Sequence, residues 1–445
     1  MTIGDKEGGE LVGSGSFRVD RQKALEKLRE FRRRDVGAVM LFARCAAAAG
    51  ARRLSIEQGP KSIELRFDGA PFSREEMVDP YAALFGTEGA AEERTRWLAL
   101  ALVHAWRPSL SGLSLASGPA GARSRLEASE FGGERVDRDD SVESETVVRL
   151  ELAREDDAHW RHPIPPEMIH CRPRSHLWGR MAVEVRRGGA AVSRVAAGPQ
   201  APGELIFEED GVFGHISIPP DGSDFTTMDA YLHGVYAGRL GWGDARAAVV
   251  GKIEDPGLSL DASLAAIVRN ERLERIEALV RRQTDALIYK VAAEQGERMG
   301  ETAKLLGADA VLRRLWSRRL AGPEVEAERG AGALARLRTL LGLDDPARAA
   351  RVLHDACATA WLREIAAEFT LRKPAASDRA LAAVVDAAPV AFDAGWRPVG
   401  CAELRAAFAA KRLAVADEPA RRAEPGRIAV WYDGASGRFW ELFGR

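Results

Sequence analysis

The sequence has few cysteines and no long apolar run. It has four cysteines, which form no Cys-x-x-Cys pair: Cys45, Cys171, Cys357 and Cys401. This spacing excludes a disulfide framework and favours free thiols in a reducing compartment. The longest apolar stretches, 36–51 and 97–106, are too short to span a bilayer or are interrupted by Arg44. The first residues, MTIGDKEGGELVGSGS, lack the basic start and apolar centre of a signal peptide. We therefore expect a cytoplasmic protein with no membrane partner.

The chain also lacks an excess of charge of either sign. Lys and Arg total 64 and Asp and Glu total 66, which gives a formal net charge of −2. A balanced chain has no overall field that would hold nucleic acid, so we expect no nucleic-acid partner. The hydrophobic content of 46% in 445 residues is enough for several ordinary cores. These totals predict a multidomain globular protein and say nothing more about its function.

The first part of the chain predicts a layer of helices on antiparallel strands. Helical periodicity covers 17–34 and 36–49, and the second of these helices ends at Gly50. Two alternating runs, RRLSIEQ and SIELRFDG, flank Gly59-Pro60 as a hairpin would. A helix capped by Ser73, an apolar helix at 94–106 and the strands SLSGLSLASG and TVVRLELAR follow. We expect the polar stretch 135–145 to be an exposed loop.

The remaining chain predicts three further parts after a tail at 1–16 and the first domain at 17–158. The Pro-rich segment HPIPPEM marks the first boundary. Short strands with Gly turns then lead into a long amphipathic helix from Leu260 to about Ala293. We place a second α+β domain at 159–293, a helical segment at 294–372 and a small α+β unit at 373–445, ending in the strands IAVWYDG and RFWELF.

Several of these segments, in this order, resemble the GHKL superfamily of gyrase-type topoisomerases, heat-shock protein 90 chaperones, histidine kinases and mismatch-repair ATPases. The segments are LFARCAAAAGARRLSI, ELRFDGAPFSREEM and VVRLEL. Further on, LSLDASLAAIVRNERLERI at 258–276 is similar to the start of the long helix in the heat-shock protein 90 middle domain. The resemblance covers about 17–290. It implies an α+β, multidomain protein with a GHKL-like helix and antiparallel-sheet sandwich, followed by a domain like the chaperone middle domain.

The resemblance also implies an ATP site, and this chain departs from it where the chemistry is needed. The family places a general-base Glu and a Mg²⁺-binding Asn on one helix, and those positions fall on Leu41 and Cys45. Leucine has no titratable group, and a thiol is a poor ligand for a hard cation. The lid glycine falls on Ala101, and the arginine expected at the γ-phosphate falls on Leu264. We therefore expect no catalytic residues and a pseudo-ATPase.

The adenine-binding turn is also altered. In FDGAPF the family's Asp falls on Phe67, and moving the register by one residue would use Asp68 but place Pro71 where a flexible glycine is needed. An Asp-Gly pair is also a common plain turn. Thr146 is the one family residue retained. If nucleotide still binds, the resemblance assigns Asp68, Gly69 and Thr146 to it.

No cofactor is expected, and ATP with Mg²⁺ is the alternative for a divergent ATPase that takes its base from Glu30 or Asp35. A second alternative is a metal-binding module, since histidines and a cysteine gather within 159–176: His159, His162, His170, Cys171 and His176. His-x-x-His spacing is compatible with zinc, but the prolines at 163, 165 and 166 split the group, so we assign no metal ligands. Pairs such as Ser263 with Asp261 lack the surroundings of a known nucleophile.

The function that remains is protein interaction, by a non-catalytic heat-shock protein 90-like scaffold with a chaperone-like or regulatory role. Tryptophan is favoured at interface hot spots. We therefore expect the partner surface to come from the helical segment 294–372 and from four tryptophans: Trp316, Trp396, Trp431 and Trp440. GHKL proteins commonly dimerise, so a homodimer is a further open alternative.

Overall fold

The computed structural model describes residues 20–30, 37–85, 93–106, 110–152, 177–195, 203–219, 225–243, 247–261, 264, 266–320, 346–416, 427–432 and 437–444. The chain divides into two compact units, Met1–Arg174 with Met181–Arg194, and Ser175–Arg180 with Val195–Arg445. Both units mix helices and strands. The α+β, multidomain class is therefore confirmed. The boundaries expected at 158, 293 and 372 remain predictions.

The described residues of the first unit form four helices, one short 3₁₀ turn and eight strands. In chain order these are α1 (Arg21–Glu30), α2 (Ala38–Ala48), β1 (Arg53–Gln58), β2 (Ser62–Phe67), α3 (Arg74–Val78), the 3₁₀ turn (Ala82–Leu84), α4 (Glu93–Ala105), β3 (Leu110–Ser117), β4 (Arg123–Ala128), β5 (Arg135–Asp139), β6 (Thr146–Leu152), β7 (Ala182–Arg187) and β8 (Ala190–Val195).

Its strands form one sheet in the order β5-β4-β3-β6-β2-β1-β7-β8. The hairpin of β1 and β2 is antiparallel and turns at Gly59-Pro60, whereas β1 and β7 pair in parallel. The apolar helices α2 and α4 pack against each other, and both are buried along most of their length. This is a layer of helices with a mostly antiparallel sheet, as expected from the alternation of β1 and β2.

One sequence-based expectation about this sheet is wrong. The stretch 135–145 was expected to be a loop, but its first five residues form the edge strand β5. Charged residues are typical of edge strands, because they discourage pairing with other chains, and they obscure the strand pattern in the sequence. The strands β7 and β8, which fall within the range 159–293, extend the first unit's sheet beside β1.

Where the structure describes it, the second unit has a five-stranded sheet, long helices and two small sheets. In chain order its elements are β9 (Glu204–Glu209), β10 (Val212–Ser217), β11 (Thr226–Leu232), β12 (Val235–Trp242), β13 (Val250–Glu254), α5 (Glu271–Ala308), α6 (Ala310–Leu320), α7 (Pro346–Arg372), a 3₁₀ turn (Ala376–Asp378), α8 (Arg379–Ala387), β14 (Pro389–Phe392), β15 (Pro398–Gly400), α9 (Cys401–Ala409), β16 (Leu413–Ala416), β17 (Ile428–Trp431) and α10 (Gly437–Glu441). The large sheet has the order β12-β11-β13-β10-β9.

The ends of two elements in this unit differ from expectation. Helix α5 begins at Glu271 rather than near Leu260, because the Asn270 side chain caps it by accepting a hydrogen bond from the Leu273 N–H (3.1 Å). The apolar periodicity of α5 extends into the loop that precedes it, and for this reason the sequence pattern predicts too early a start for the helix. The segment RFWELF was expected to be a strand, but α10 covers most of it. Three of its aromatic side chains are buried there: Phe439, Trp440 and Phe443.

The tryptophans expected at a partner surface lie mostly in the core of the second unit. Trp316 and Trp440 are fully buried, Trp431 is 6% exposed and Trp396 is half-buried. Trp316 packs on Phe392 with ring centres 5.4 Å apart, in a cluster that joins α5, α6 and α7 to the small sheets. A side chain with no exposed area cannot form an interface, so Trp316 and Trp440 do not supply a partner surface.

Candidate functional site

Helix α2, on which the resemblance places the catalytic groups of GHKL ATPases, is an apolar core helix. Helix α2 is rich in alanine and starts after Gly37, and Gly50 follows its end with φ +76°. Leu41 and Cys45 lie one turn apart on it, with exposures of 1% and 0%. The Cys45 thiol donates a hydrogen bond to the Arg94 carbonyl (3.5 Å), and burial raises its pKa far above the ordinary value. The sulfur is therefore a protonated thiol rather than a metal-binding thiolate.

The Asp68 carboxylate is used to build a turn. Its Oδ1 accepts hydrogen bonds from the N–H groups of Arg52 (2.8 Å) and Arg53 (2.9 Å). Burial raises the pKa of Asp68, but these backbone hydrogen bonds outweigh it and lower the pKa below its ordinary value. At Gly69, a Cβ would lie 2.8 Å from the Ala49 carbonyl oxygen, so this position needs glycine. The Asp68-Gly69 pair therefore fastens the end of β2 to the start of β1 and the end of α2.

Thr146 lies where β6 meets the end of β2, directly opposite Phe67. Paired residues in an antiparallel sheet project to the same face, and both side chains are 1% exposed. The Thr146 Oγ1 lies 2.7 Å from the Ser117 Oγ, which accepts a hydrogen bond from the Phe72 N–H (2.9 Å). The structure thus places the Phe67 ring beside Thr146. The Thr146 hydroxyl is already hydrogen-bonded to the Ser117 hydroxyl.

The segment after the turn is held by Arg94, a residue that the sequence analysis missed. The Arg94 guanidinium donates to the Pro71 carbonyl (2.8 Å) and to the Glu76 carboxylate (2.7 Å). It also lies 4.9 Å from the centre of the Phe72 ring. Ser73 and Glu76 form a capping box, which the letters SREE do signal in the sequence. Residues 71–76 are therefore tied to the first turn of α4.

The remaining family positions are apolar as well. Ala101 is fully buried in α4. Leu264 lies in a tight turn with φ +55°, where its N–H donates to the Asp261 carbonyl (2.8 Å). Glu30 ends α1, while Asp35 and Ser263 lie outside the described residues.

The histidine and cysteine group at 159–176 also lies outside the described residues, so the metal alternative stays a prediction. In the part of the chain that the structure describes, no three His, Cys, Asp or Glu side chains are grouped as metal ligands would be. Within the same part, no helix is both long enough and apolar enough to cross a membrane.

Replacing Asp68 with alanine should lower the free energy of unfolding of the first unit by about 1–3 kcal/mol near neutral pH, because backbone hydrogen bonds to a charged group are lost. The pKa of Asp68 is lower in the folded state. Its contribution is therefore complete above the ordinary aspartate pKa of about 4 and is lost as the pH falls through the folded-state pKa. Urea titrations at several pH values measure this.

Asp79 is the matched control, because it forms an exposed ion pair with Arg21. Replacing it with alanine should cost less than about 1 kcal/mol. Equal losses of unfolding free energy in Asp68→Ala and Asp79→Ala would contradict the role of Asp68 in holding the turn. A loss in Asp68→Ala that does not depend on pH would contradict it as well.

Of the comparisons with known proteins, only the one with solved structures found matches. No protein-family model matches the sequence, and no curated protein matches it. Among solved structures, the chain is similar to the B subunit of the DNA gyrase from Myxococcus xanthus. The identity is 14%, the match covers 59% of this chain and 90% of that one, and the TM-score is 0.38.

Proposed function

We propose that this protein is a non-catalytic scaffold for protein interaction, with a GHKL-like first unit whose nucleotide pocket is filled by its own side chains. The observation that carries the proposal is the pairing of Phe67 with Thr146. When the chain is aligned with the family, Phe67 occupies the position of the aspartate whose carboxylate accepts a hydrogen bond from the adenine amine. A buried phenyl ring offers no acceptor to that amine and occupies the space instead.

The chemistry of hydrolysis supports the same proposal. A GHKL ATPase needs a base for water and an oxygen ligand for Mg²⁺ on one helix. Leu41 and the protonated thiol of Cys45 are both buried and supply neither. These residues do not fit an ATP–Mg²⁺ complex.

The neighbouring turn at Asp68 also supports the proposal. The Asp68 carboxylate is engaged by two backbone N–H groups, so a nucleotide would have to displace them. Arg94 fixes the segment 71–76, which limits the movement that nucleotide entry would need. The scaffold would therefore act without a nucleotide cycle, in a chaperone-like or regulatory role.

Calorimetric titration of the full chain with ATP and Mg²⁺, up to millimolar ligand, tests this proposal. We expect no saturable heat and no shift in melting temperature. Saturable binding in the micromolar range would contradict it and favour the divergent ATPase. In that case Asp68→Ala and Thr146→Val would show whether the turn and the hydroxyl hold the nucleotide.

The proposed role in protein interaction needs a separate test, and the length of α5 limits which truncated chains can be used in it. Removing residues after 293 would cut α5 in the middle, so the full chain should be used. Crosslinking in a native lysate should recover a reproducible set of proteins that an excess of unlabelled chain displaces. Recovery of nothing beyond a control protein of similar charge would contradict the scaffold proposal.

A further inference from the structure

The seam between α5 and α7 contains a buried polar network within the second unit. Asp355 is fully buried and accepts hydrogen bonds from the Arg298 guanidinium and the Thr302 hydroxyl. One turn further, the Gln295 amide donates to the Thr359 Oγ1 (2.8 Å). Polar groups at such depth are stabilising only when their partners stay in place. The two helices are therefore held in one register by directional contacts.

His354 precedes Asp355 on α7 and faces the start of β9. A Cβ on Gly203 would lie 2.8 Å from both the Nε2 and the Cε1 of His354. Gly203 also has φ +71°, so both its backbone conformation and the imidazole require glycine. The Nε2 atom is buried and has no hydrogen-bond partner among the described residues. Two atoms of the imidazole ring thus lie against Gly203, and a proton added at Nε2 has no acceptor among the described residues.

Charged groups from three elements act on His354. These groups are Arg298 on α5, Asp355 on α7 and Glu204 on β9. Burial first, and then the positive charge of Arg298, lower the pKa of His354, while Asp355 and Glu204 oppose this with smaller effects.

Both acids near His354 already have other partners. Asp355 is held by Arg298 and Thr302. The Glu204 carboxylate lies 3.2 Å from the Nε2 of His215 on β10, and Lys290 of α5 donates to the Glu204 carbonyl. Arg351, one turn earlier on α7, pairs with Glu301. A proton on His354 would therefore add a buried cation beside Arg298, and the described residues hold no further acid near it to balance the charge.

We propose that His354 is a proton-operated latch, which keeps the N-terminal half of α7 packed on Gly203 while the imidazole is neutral and releases it when the imidazole is protonated. The inference does not depend on the proposed scaffold function. A histidine whose proton is bound more tightly in the opened form shifts the equilibrium towards that form as the pH falls. The shift is about tenfold for each pKa unit by which the closed form is lower.

Hydrogen–deuterium exchange on the full chain, at about pH 7.5 and about pH 5.5, tests the latch across the range where histidine titrates. After correction for the intrinsic exchange rate, we expect protection of 203–209 and 346–359 to fall at the lower pH, by up to about tenfold per pKa unit. Protection of β2 and β6 in the first unit should stay constant. If the protection of 203–209 and of 346–359 did not change between the two pH values, the proposal would be overturned.

Two variants separate His354 from its neighbours. His354→Gln should keep the same protection at both pH values, because its side chain takes up no proton. His215→Gln removes the other histidine near Glu204 and should keep the wild-type response. If the fall in protection at low pH persisted in His354→Gln, or disappeared only in His215→Gln, a group other than His354 would be responsible for it.

A direct titration keeps the proposal testable if His354→Gln folds poorly. The ring-proton NMR signal of His354, followed in the wild-type chain, should titrate with a midpoint below the ordinary histidine value of about 6.5. A midpoint at or above that value would overturn the latch, because closure would then favour the protonated ring.

Discussion

Replacing Asp355 with alanine should lower the free energy of unfolding of the second unit by about 3–5 kcal/mol, since it leaves the charge of Arg298 without its buried partner. The Asp355 side chain is fully buried and the Arg298 side chain is 13% exposed. The Thr302 hydroxyl loses its acceptor in the same change. Denaturant unfolding followed by tryptophan fluorescence should report the loss, because Trp316 lies in the adjacent core cluster.

The same two helices supply the control. Glu301 of α5 pairs with Arg351 of α7 at the surface, where the two side chains are 43% and 50% exposed. Replacing Glu301 with alanine should cost less than about 1 kcal/mol, because water screens an exposed pair. If Asp355→Ala and Glu301→Ala lowered the free energy of unfolding by similar amounts, burial would not explain the contribution of the Asp355 network to stability.

The second large effect is expected at Gly251, in the middle of the five-stranded sheet. A Cβ there would lie 2.2 Å from the His215 carbonyl oxygen and 3.0 Å from the Ile216 Cα. Both atoms belong to the backbone of β10, which cannot move aside as a flexible side chain can. Replacing Gly251 with alanine should therefore cost about 3 kcal/mol or more, at the upper end of overpacking penalties. Thermal unfolding of the second unit measures it.

Gly241 offers the matched control on the edge strand β12. A Cβ there would lie 3.6 Å from the Thr226 carbonyl oxygen, which is ordinary van der Waals contact. Alanine at Gly241 should change stability by less than about 1 kcal/mol. A loss at Gly251 no larger than at Gly241 would mean that β10 and β13 can separate without cost.

Local signals predicted the local parts of this fold. The turn at Gly59-Pro60, the Ser73 cap and the end of α2 before Gly50 each depend on a few neighbouring residues, and all three are confirmed. The pairing of β7 with β1 could not be predicted in this way. The two strands lie more than 120 residues apart, and parallel strands have no turn of their own to signal the partner.

The candidate site shows the same division. The residue types at 41 and 45 were enough to question catalysis, because no geometry turns leucine into a base. Arg94 was missed because its contacts with Pro71, Phe72 and Glu76 exist only after α4 packs beside the turn. The tryptophans were misjudged because a large aromatic side chain suits a core and an interface equally well. Only the folded arrangement separates the two.

The position of β7 and β8 has a consequence for synthesis on the ribosome. The segment Ser175–Arg180 belongs to the second unit, yet it is made before Met181–Arg194, which belongs to the first. Until β7 emerges, β1 is an open sheet edge whose backbone groups lack a partner on one side. Nascent chains generally complete an N-terminal domain before the next one begins. Here the first unit cannot finish its sheet until Ser175–Arg180 of the second has been made, so one edge of β1 stays unpaired during that interval.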